Sequence, residues 1–293
     1  MAARAARSGT AGLAGIMVLA LSLLLGGCLD VVNYPATGEN LSRGDHGLAP
    51  AAMPAVAPDS LLVASYNIYL GQDIDQALAD LRANPRLAGA DVLLLQEVDP
   101  DGAERLARAL RMNHVYWPSF WISRTGRLFG NAVLSRWPII DRMAVQLPHA
   151  NPLIGIRRVA VAADIQVGDR RLRVVDVHLS TVTVPTAHRL QQATVALDSL
   201  AGVAGPVVFG GDFNTVSRSD RLQMRRLLRK AGFRPVHLPP GATAHSRVLA
   251  FTGFRLRLDH LYGRGLTPGD GGIDRRARAS DHYPVWGTFA WPE

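Results

Sequence analysis

What this chain has little of constrains it first. It carries one cysteine, Cys28, in 293 residues, so no internal disulfide can form and the fold must rest on its own core. A thiolate zinc site is excluded for the same reason. Lysine is almost absent: Lys230 is the single ammonium side chain, and every other basic residue is arginine. That bias reads first as genome composition and only second as a capacity for forked phosphate recognition. No apolar run reaches the roughly 20 residues that a membrane span needs. No internal repeat is visible, and no long Lys/Arg-rich loop interrupts the chain. With 48% apolar and 19% charged residues, disorder is not the default either.

The N-terminus is the first feature that is present. Arg4 and Arg7 precede the apolar stretch "AGLAGIMVLALSLLLGG", which ends in small residues and has the length and flanks of a secretory signal. It closes on Leu25-Gly26-Gly27-Cys28, which resembles the lipobox of bacterial lipoproteins. That resemblance implies a signal peptide over residues 1–27 and a lipidated Cys28. The protein would then be exported and anchored to a membrane on its extracytoplasmic side, without spanning it. Residues 28–59 follow as an expected flexible tether, with Pro35, Pro50, Pro54 and Pro58 among small and polar residues and no sustained period of 2 or 3.6. The formal charge of +8 becomes about +6 once the signal is removed. Such a charge favours polyanionic partners without choosing among nucleic acid, anionic lipid and phosphorylated sugars.

From residue 60 the pattern changes. Short apolar runs ("SLLVASYNI", "ADVLLLQEV", "RLRVVDVHLS", "PVVFGGDFN") alternate with amphipathic stretches ("DIDQALADLRA", "DGAERLARALR", "PTAHRLQQATVALDSLAG", "SDRLQMRRLLRKAG"). The spacing predicts strands and helices intermixed, with 158–167 and 171–179 forming a hairpin across "GDR". One domain over residues 60–293, built of sheets covered by helices, is the economical expectation.

The polar residues are then placed unevenly. "VVFGGDFNT" turns on two glycines and presents Asp212 and Asn214. Alone, that is an ordinary strand-end turn. However, "SYNI" ends in Asn67, "LLLQEV" carries Glu97, "VVDVHLS" carries His178, "LRLDHLY" carries Asp259, and "ASDHYPV" carries Asp281 and His282. Several separate strands thus finish in residues able to bind a metal or move a proton, as they would if their ends converged on one cleft.

Taken in order, "SYNI", "LLQEV", "GNAVLSRWPI", "VDVHLS", "GDFN", "RLDHLY" and "SDHYPV" resemble the endonuclease/exonuclease/phosphatase (DNase I-like) superfamily. The resemblance covers residues 61–290. It implies an α+β fold, a four-layer α/β/β/α sandwich with two mostly antiparallel sheets flanked by helices, and hydrolysis of a phosphate ester dependent on a divalent metal. On the family pattern Glu97 binds the metal, helped by Asn67 and Asp281. An all-oxygen set of that kind suits Mg²⁺ or Mn²⁺. Asp212 would orient or deprotonate the attacking water and Asn214 would hold a phosphate oxygen. His178 and His282 would flank the phosphate, stabilising charge or moving a proton. Asp259 would pair with His282 and raise its pKa. The base is expected to be Asp212, with His282 on the phosphate; the reverse assignment is the alternative.

Other residues fit less well. His260 adjoins Asp259 but would face the opposite side of a strand, and one of Arg157 and Arg158 is a candidate for facing the phosphate. The helix "SDRLQMRRLLRK" reads as a solvated face with an apolar stripe. The substrate stays open between a phosphate mono- or diester of small-molecule type, nucleic acid, and a phospholipid as in sphingomyelinases. A non-catalytic binding protein on the same fold is the remaining alternative. A monomer is expected.

Overall fold

The structure, a computed structural model, describes residues 31–37, 41–47, 54–123, 126–181, 183–245 and 255–292. Cys28 and the signal-like run lie outside the described residues. In chain order the strands begin with β1 (Val31–Asn33), β2 (Ser42–Gly44) and β3 (Ser60–Asn67), followed by helices α1 (Ile74–Ala83) and α2 (Pro85–Ala88). Then come β4 (Val92–Val98), α3 (Pro100–Leu110), β5 (Asn113–Ile122), β6 (Arg127–Ser135), β7 (Ile139–Gln146), β8 (Val159–Val167) and β9 (Arg170–His178). Helix α4 (Thr186–Asp198), β10 (Val207–Asp212) and α5 (Arg218–Lys230) precede the short β11 (Arg234–Pro235), β12 (Ala244–His245) and β13 (Arg255–Leu256). Strands β14 (Asp259–Arg264), β15 (Thr267–Ile273) and β16 (Val285–Ala290) end the chain.

These strands make two principal sheets. One has the order β1-β5-β6-β4-β3-β16-β15, with β2 also on β5; the other runs β11-β14-β10-β9-β8-β7. Each is antiparallel except for one parallel pair near its centre, β3 with β4 and β9 with β10. The period-2 alternation of the strands explains why the sheets stack. Leu61 and Val63 of β3, Leu94 of β4, Val174 of β9 and Val208 of β10 all turn into one core between the sheets. Their neighbours turn outward: Ala64, Tyr66, Leu93 and Leu95 meet α1 and α3, while Val175, Val177 and Phe209 meet α4 and α5. Two-faced burial of this kind is what makes a four-layer sandwich. Truncating a central residue such as Leu94, fully buried, would cost about 2–5 kcal/mol.

The helices start where the sequence supplies caps. Asp73 accepts from Gln76 N at 2.9 Å, and Asp99 accepts from Gly102 N at 2.7 Å ahead of Pro100. Ser217 and Asp220 form a reciprocal capping box on α5, a device that satisfies otherwise orphaned amides. Among the described residues no helix is long and apolar enough to cross a membrane.

One expectation needs correction. The described parts of the stretch read as a tether are structured: β1 pairs with Phe120–Ile122 and β2 with His114–Tyr116, both along β5. Strand β5 would otherwise leave an open edge, whose free amides and carbonyls recruit any extended segment within reach. Segments as short as "VVN" and "SRG" carry too few residues to register as a period, so composition alone read as linker.

Candidate active site

The inner-face alternation that builds the core also builds the site. Along β3 the inward series Leu61, Val63, Ser65 ends in Asn67; along β9 Val174 leads through Asp176 to His178. On β10 Val208 leads through Gly210 to Asp212, and on β14 Leu261 and Asp259 share the inner face. Register brings these ends level, since Asp212 sits opposite both His178 and Asp259. The polar strand ends thus meet at one mouth of the sandwich.

Glu97 arrives there by a different route. A bulge between Gln96 and Val98 breaks the pairing of β4 with β6, and Glu97 takes φ 56. A left-handed conformation at a residue with a side chain costs roughly 1–3 kcal/mol and persists where its surroundings enforce it. The bulge re-aims the carboxylate into the mouth, where Oε2 accepts from Leu70 N at 3.2 Å. Asn214, on the turn after β10, also has positive φ, 50°.

Asp212 is the hub. It is 1% exposed; Oδ1 accepts from Asn214 N at 2.9 Å, and Oδ2 accepts from Asn67 Nδ2 at 3.2 Å and Asn214 Nδ2 at 3.3 Å. Burial raises its pKa to about 7, opposed by His282 and reinforced by Asp259. His282 Nδ1–H donates to both Asp259 oxygens, at 3.0 and 3.1 Å, leaving Nε2 3.8 Å from Asp212 Oδ2. Burial alone would lower the His282 pKa, but Asp259 and Asp212 outweigh it and hold it well above the usual value. Asp281, half-buried next to His282 in sequence, is close enough for its charge to raise the Glu97 pKa, behind burial as the larger cause and against Arg158.

His178 behaves unlike His282. Its Nε2 lies 3.4 Å from Asp212 Oδ2 and 3.8 Å from Glu97 Oε1, yet burial, with Arg158 and His282 adding to it, drives its pKa well down. It is therefore a neutral imidazole. Arg158 Nη1 stands 3.3 Å from His178 Nδ1. A guanidinium can only donate, so Nδ1 accepts and the ring proton sits on Nε2, facing the two carboxylates. Of the two roles expected of His178, stabilising charge or moving a proton, a fixed donor serves the first.

The structure thus brings together Asn67, Glu97, His178, Asp212, Asn214, Asp259, Asp281 and His282. It also selects Arg158, 8% exposed, over exposed Arg157. Asn214 Nδ2 is engaged with Leu179 O at 2.9 Å as well as with Asp212, so it fixes the turn and the carboxylate. His260 faces away, bonded to Thr215 Oγ1 at 3.0 Å, its pKa lowered to about 4 by burial.

Sequence reasoning missed a polar layer behind the site. Gln96 Nε2 donates to Asp176 Oδ1 at 2.6 Å and to Ser65 Oγ at 3.2 Å. Burial raises the Asp176 pKa well above the usual carboxylate value, against the hydrogen bonds from Gln96 and Asn131. The signal was available: Asp176 stands two residues before His178, and Ser65 two before Asn67, each on the same strand face.

Ligand atoms of Asp212, Asp259 and His282 lie within 4.8 Å of one another, which by itself would suit a cation. Because His282 Nδ1–H already donates to Asp259, that trio reads better as a charged dyad beside a carboxylate. Glu97, Asn67 and Asp281, the set expected from the family resemblance, carry oxygens of the kind that hard cations prefer.

Comparison with known proteins bears on the family and the fold. A UPF0294 protein of Vibrio parahaemolyticus is 36% identical over 118 residues, covering 40% of each chain, and one of Yersinia enterocolitica is 27% identical over 258 residues, covering 87% of this chain and 92% of that one. The matches to the Vibrio relatives span between two-fifths and three-fifths of those proteins' length. Among solved structures, humanised D. rerio TDP2 superposes with a TM-score of 0.62 at 18% identity (79% of this chain, 99% of that one). Sphingomyelinase C of Streptomyces griseocarneus gives 0.61 at 19% (80% and 100%); at such identities the likeness is one of fold. The profile described as endonuclease/exonuclease/phosphatase family matches residues 64–282, from the strand that ends in Asn67 to His282 itself, and on that span the chain belongs to the endonuclease/exonuclease/phosphatase family.

Proposed function

We propose that this chain is a divalent-metal-dependent phosphoester hydrolase that uses Asp212 to activate a water. The observation that carries the reading is the convergence of a carboxylate titrating near 7, a charged His282–Asp259 pair and a fixed Nε2–H donor on His178 around one mouth. Family membership supports it, as do folds shared with TDP2 and with sphingomyelinase C.

The donor set fits Mg²⁺ or Mn²⁺: Glu97, Asn67 and Asp281 would hold the ion, which when bound neutralises phosphate charge. The remaining work falls to the chain. Asp212, oriented by Asn67 and Asn214, takes the proton of the attacking water; a base poised near neutral pH suits that task. The imidazolium of His282, held by Asp259, offers its Nε2–H to a phosphate oxygen as charge builds. His178 offers a second hydrogen-bond donor, and the buried Arg158 guanidinium adds positive charge behind it. Donors fixed before reaction need no reorganisation during it.

Export and anchoring through Cys28 are part of the same proposal and rest on the sequence. An enzyme tethered at a membrane surface has phospholipid diesters, exported nucleic acid and small phosphorylated compounds within reach. A panel tests this: bis-p-nitrophenyl phosphate, p-nitrophenyl phosphate, plasmid DNA and sphingomyelin, each with Mg²⁺, Mn²⁺ or EDTA. The reading expects EDTA-sensitive turnover of at least one, and the preferred one names the branch. No turnover in any metal would move the chain to the non-catalytic alternative.

A further inference from the structure

The first described strand fixes which way the mouth looks. Val31 of β1 pairs with Ile122, and Ile122 pairs with Arg127 at the start of β6. Strand β6 runs antiparallel to β4, and its residues ahead of Asn131 lie beyond Gln96, on the side where Glu97 enters the mouth. Val31 therefore stands at the mouth end of its sheet. Cys28 precedes it by three residues in the sequence, and three residues reach at most about 11 Å. An acyl anchor on Cys28 would hold that end of the sandwich, and not the other, against the bilayer.

The edge beside the mouth suits such a surface. Asn33 ties β1 to the loop 151–157: its Nδ2 donates to Gly155 O at 2.9 Å, and its Oδ1 accepts from Arg157 N at 2.7 Å. Val31, Leu70 and Ile154 pack on one small apolar cluster around Phe120 and Phe129. Leu70 is the residue whose amide holds Glu97, and the Arg158 guanidinium lies 5.9 Å from the centre of the Phe120 ring. Strand, loop and site are thus one packed unit. On its outside, Val32 is 50% exposed and Leu153 58% exposed. Half-buried Trp121 pairs directly with Val32, and residues so paired share a face of the sheet. Exposed Arg157 adds a cation. Apolar side chains, a tryptophan and an arginine on an anchored edge are the elements of an interfacial membrane contact.

We propose that β1, Trp121 and the loop 151–157 rest on the bilayer surface and hold the mouth against it, so that the site takes the phosphodiester of a phospholipid headgroup. This deepens the hydrolase reading above and rests on it, and on acylation of Cys28. A nucleic acid from solution would have to enter between the mouth and the bilayer, whereas a headgroup diester already lies there. In the reaction, water adds across one P–O ester bond. Phosphorus gains the hydroxyl, Asp212 takes the water's proton, and the leaving oxygen takes up one in exchange. The products are a phosphate monoester and an alcohol.

The test uses the full chain, acylated in cells and reconstituted with Mg²⁺ in vesicles of phosphatidylethanolamine and phosphatidylglycerol with brominated acyl chains. Leu153→Cys carries an environment-sensitive fluorophore. Arg229→Cys is the control, exposed on the part of α5 that has run back from the mouth. Bromine quenching several-fold stronger at 153 than at 229 is expected, together with consumption of vesicle phospholipid. Leu153→Glu is expected to cut that consumption about ten-fold or more relative to hydrolysis of bis-p-nitrophenyl phosphate. Quenching equal at the two positions, or stronger at 229, would overturn the membrane face. Quenching at 153 with turnover of bis-p-nitrophenyl phosphate or plasmid DNA, but none of phospholipid, would overturn the substrate class. Failure of the hydrolase reading shows separately, as no turnover of bis-p-nitrophenyl phosphate in detergent; the quenching then still decides the face.

Discussion

Asp212 concentrates the chemistry and its cost in one side chain. Its pKa near 7 lies above the ordinary carboxylate value near 4, so the folded chain resists ionising it. As a base it must be ionised, so the rate should rise with pH, along a limb at or below about 7 because a bound cation favours the ionised form. A kcat that does not fall on acidification would remove Asp212 from that role. The same shift has a stability side. Because the folded pKa exceeds the unfolded one, ionisation subtracts stability as pH climbs from about 4 to 7. Asp212→Asn in EDTA is expected to unfold at a higher temperature than wild type at pH 8, by an equivalent of roughly 1–3 kcal/mol. That gap should shrink toward pH 4, while the variant is catalytically inactive. Melting curves at the two pH values check it.

At the scale of elements, the strand-end turns do the positioning. Gly211, just before Asp212, takes φ 130, and a Cβ there would lie 2.0 Å from Val177 O on the parallel neighbour β9. Gly211→Ala must push β10 away from β9, moving Asp212 relative to His178. A loss of roughly 2–4 kcal/mol in urea unfolding, together with loss of turnover, is expected. An alanine variant as stable as wild type would contradict the close approach. Elements were also where the sequence was most legible. All four amphipathic stretches became helices, three of them behind a side-chain cap. The hairpin across "GDR" and the strand ending in "GDFN" were readable because apolar runs ended on turn residues. Other features had no local signature. The Glu97 bulge is a property of pairing with β6, and the His178 tautomer depends on Arg158, twenty residues earlier and just ahead of another strand. The docking of β1 and β2 on β5 follows from an open edge that no local window contains.

Over the whole molecule, two sheets close on each other so that polar strand ends share one mouth and apolar strand middles share one core. Alternation on β3, β9, β10 and β14 therefore specifies fold and most of the site at once, which is why motifs spread from Asn67 to His282 could be read as one constellation. The proposed anchor sets where that mouth works. Cys28→Ser in cells is expected to shift the protein from the membrane to the soluble extracytoplasmic fraction, with activity per molecule on a soluble diester retained; fractionation with immunoblotting reads this. An unchanged membrane fraction would discard lipidation at Cys28.

The most direct test of the central claim is hydrolysis of bis-p-nitrophenyl phosphate with Mg²⁺ or Mn²⁺ by wild type, Asp212→Ala and His282→Ala. The account predicts EDTA-sensitive turnover by wild type that falls about 10²–10⁴-fold in kcat for each variant. Turnover that survives both substitutions would place the chemistry outside this mouth and contradict the account.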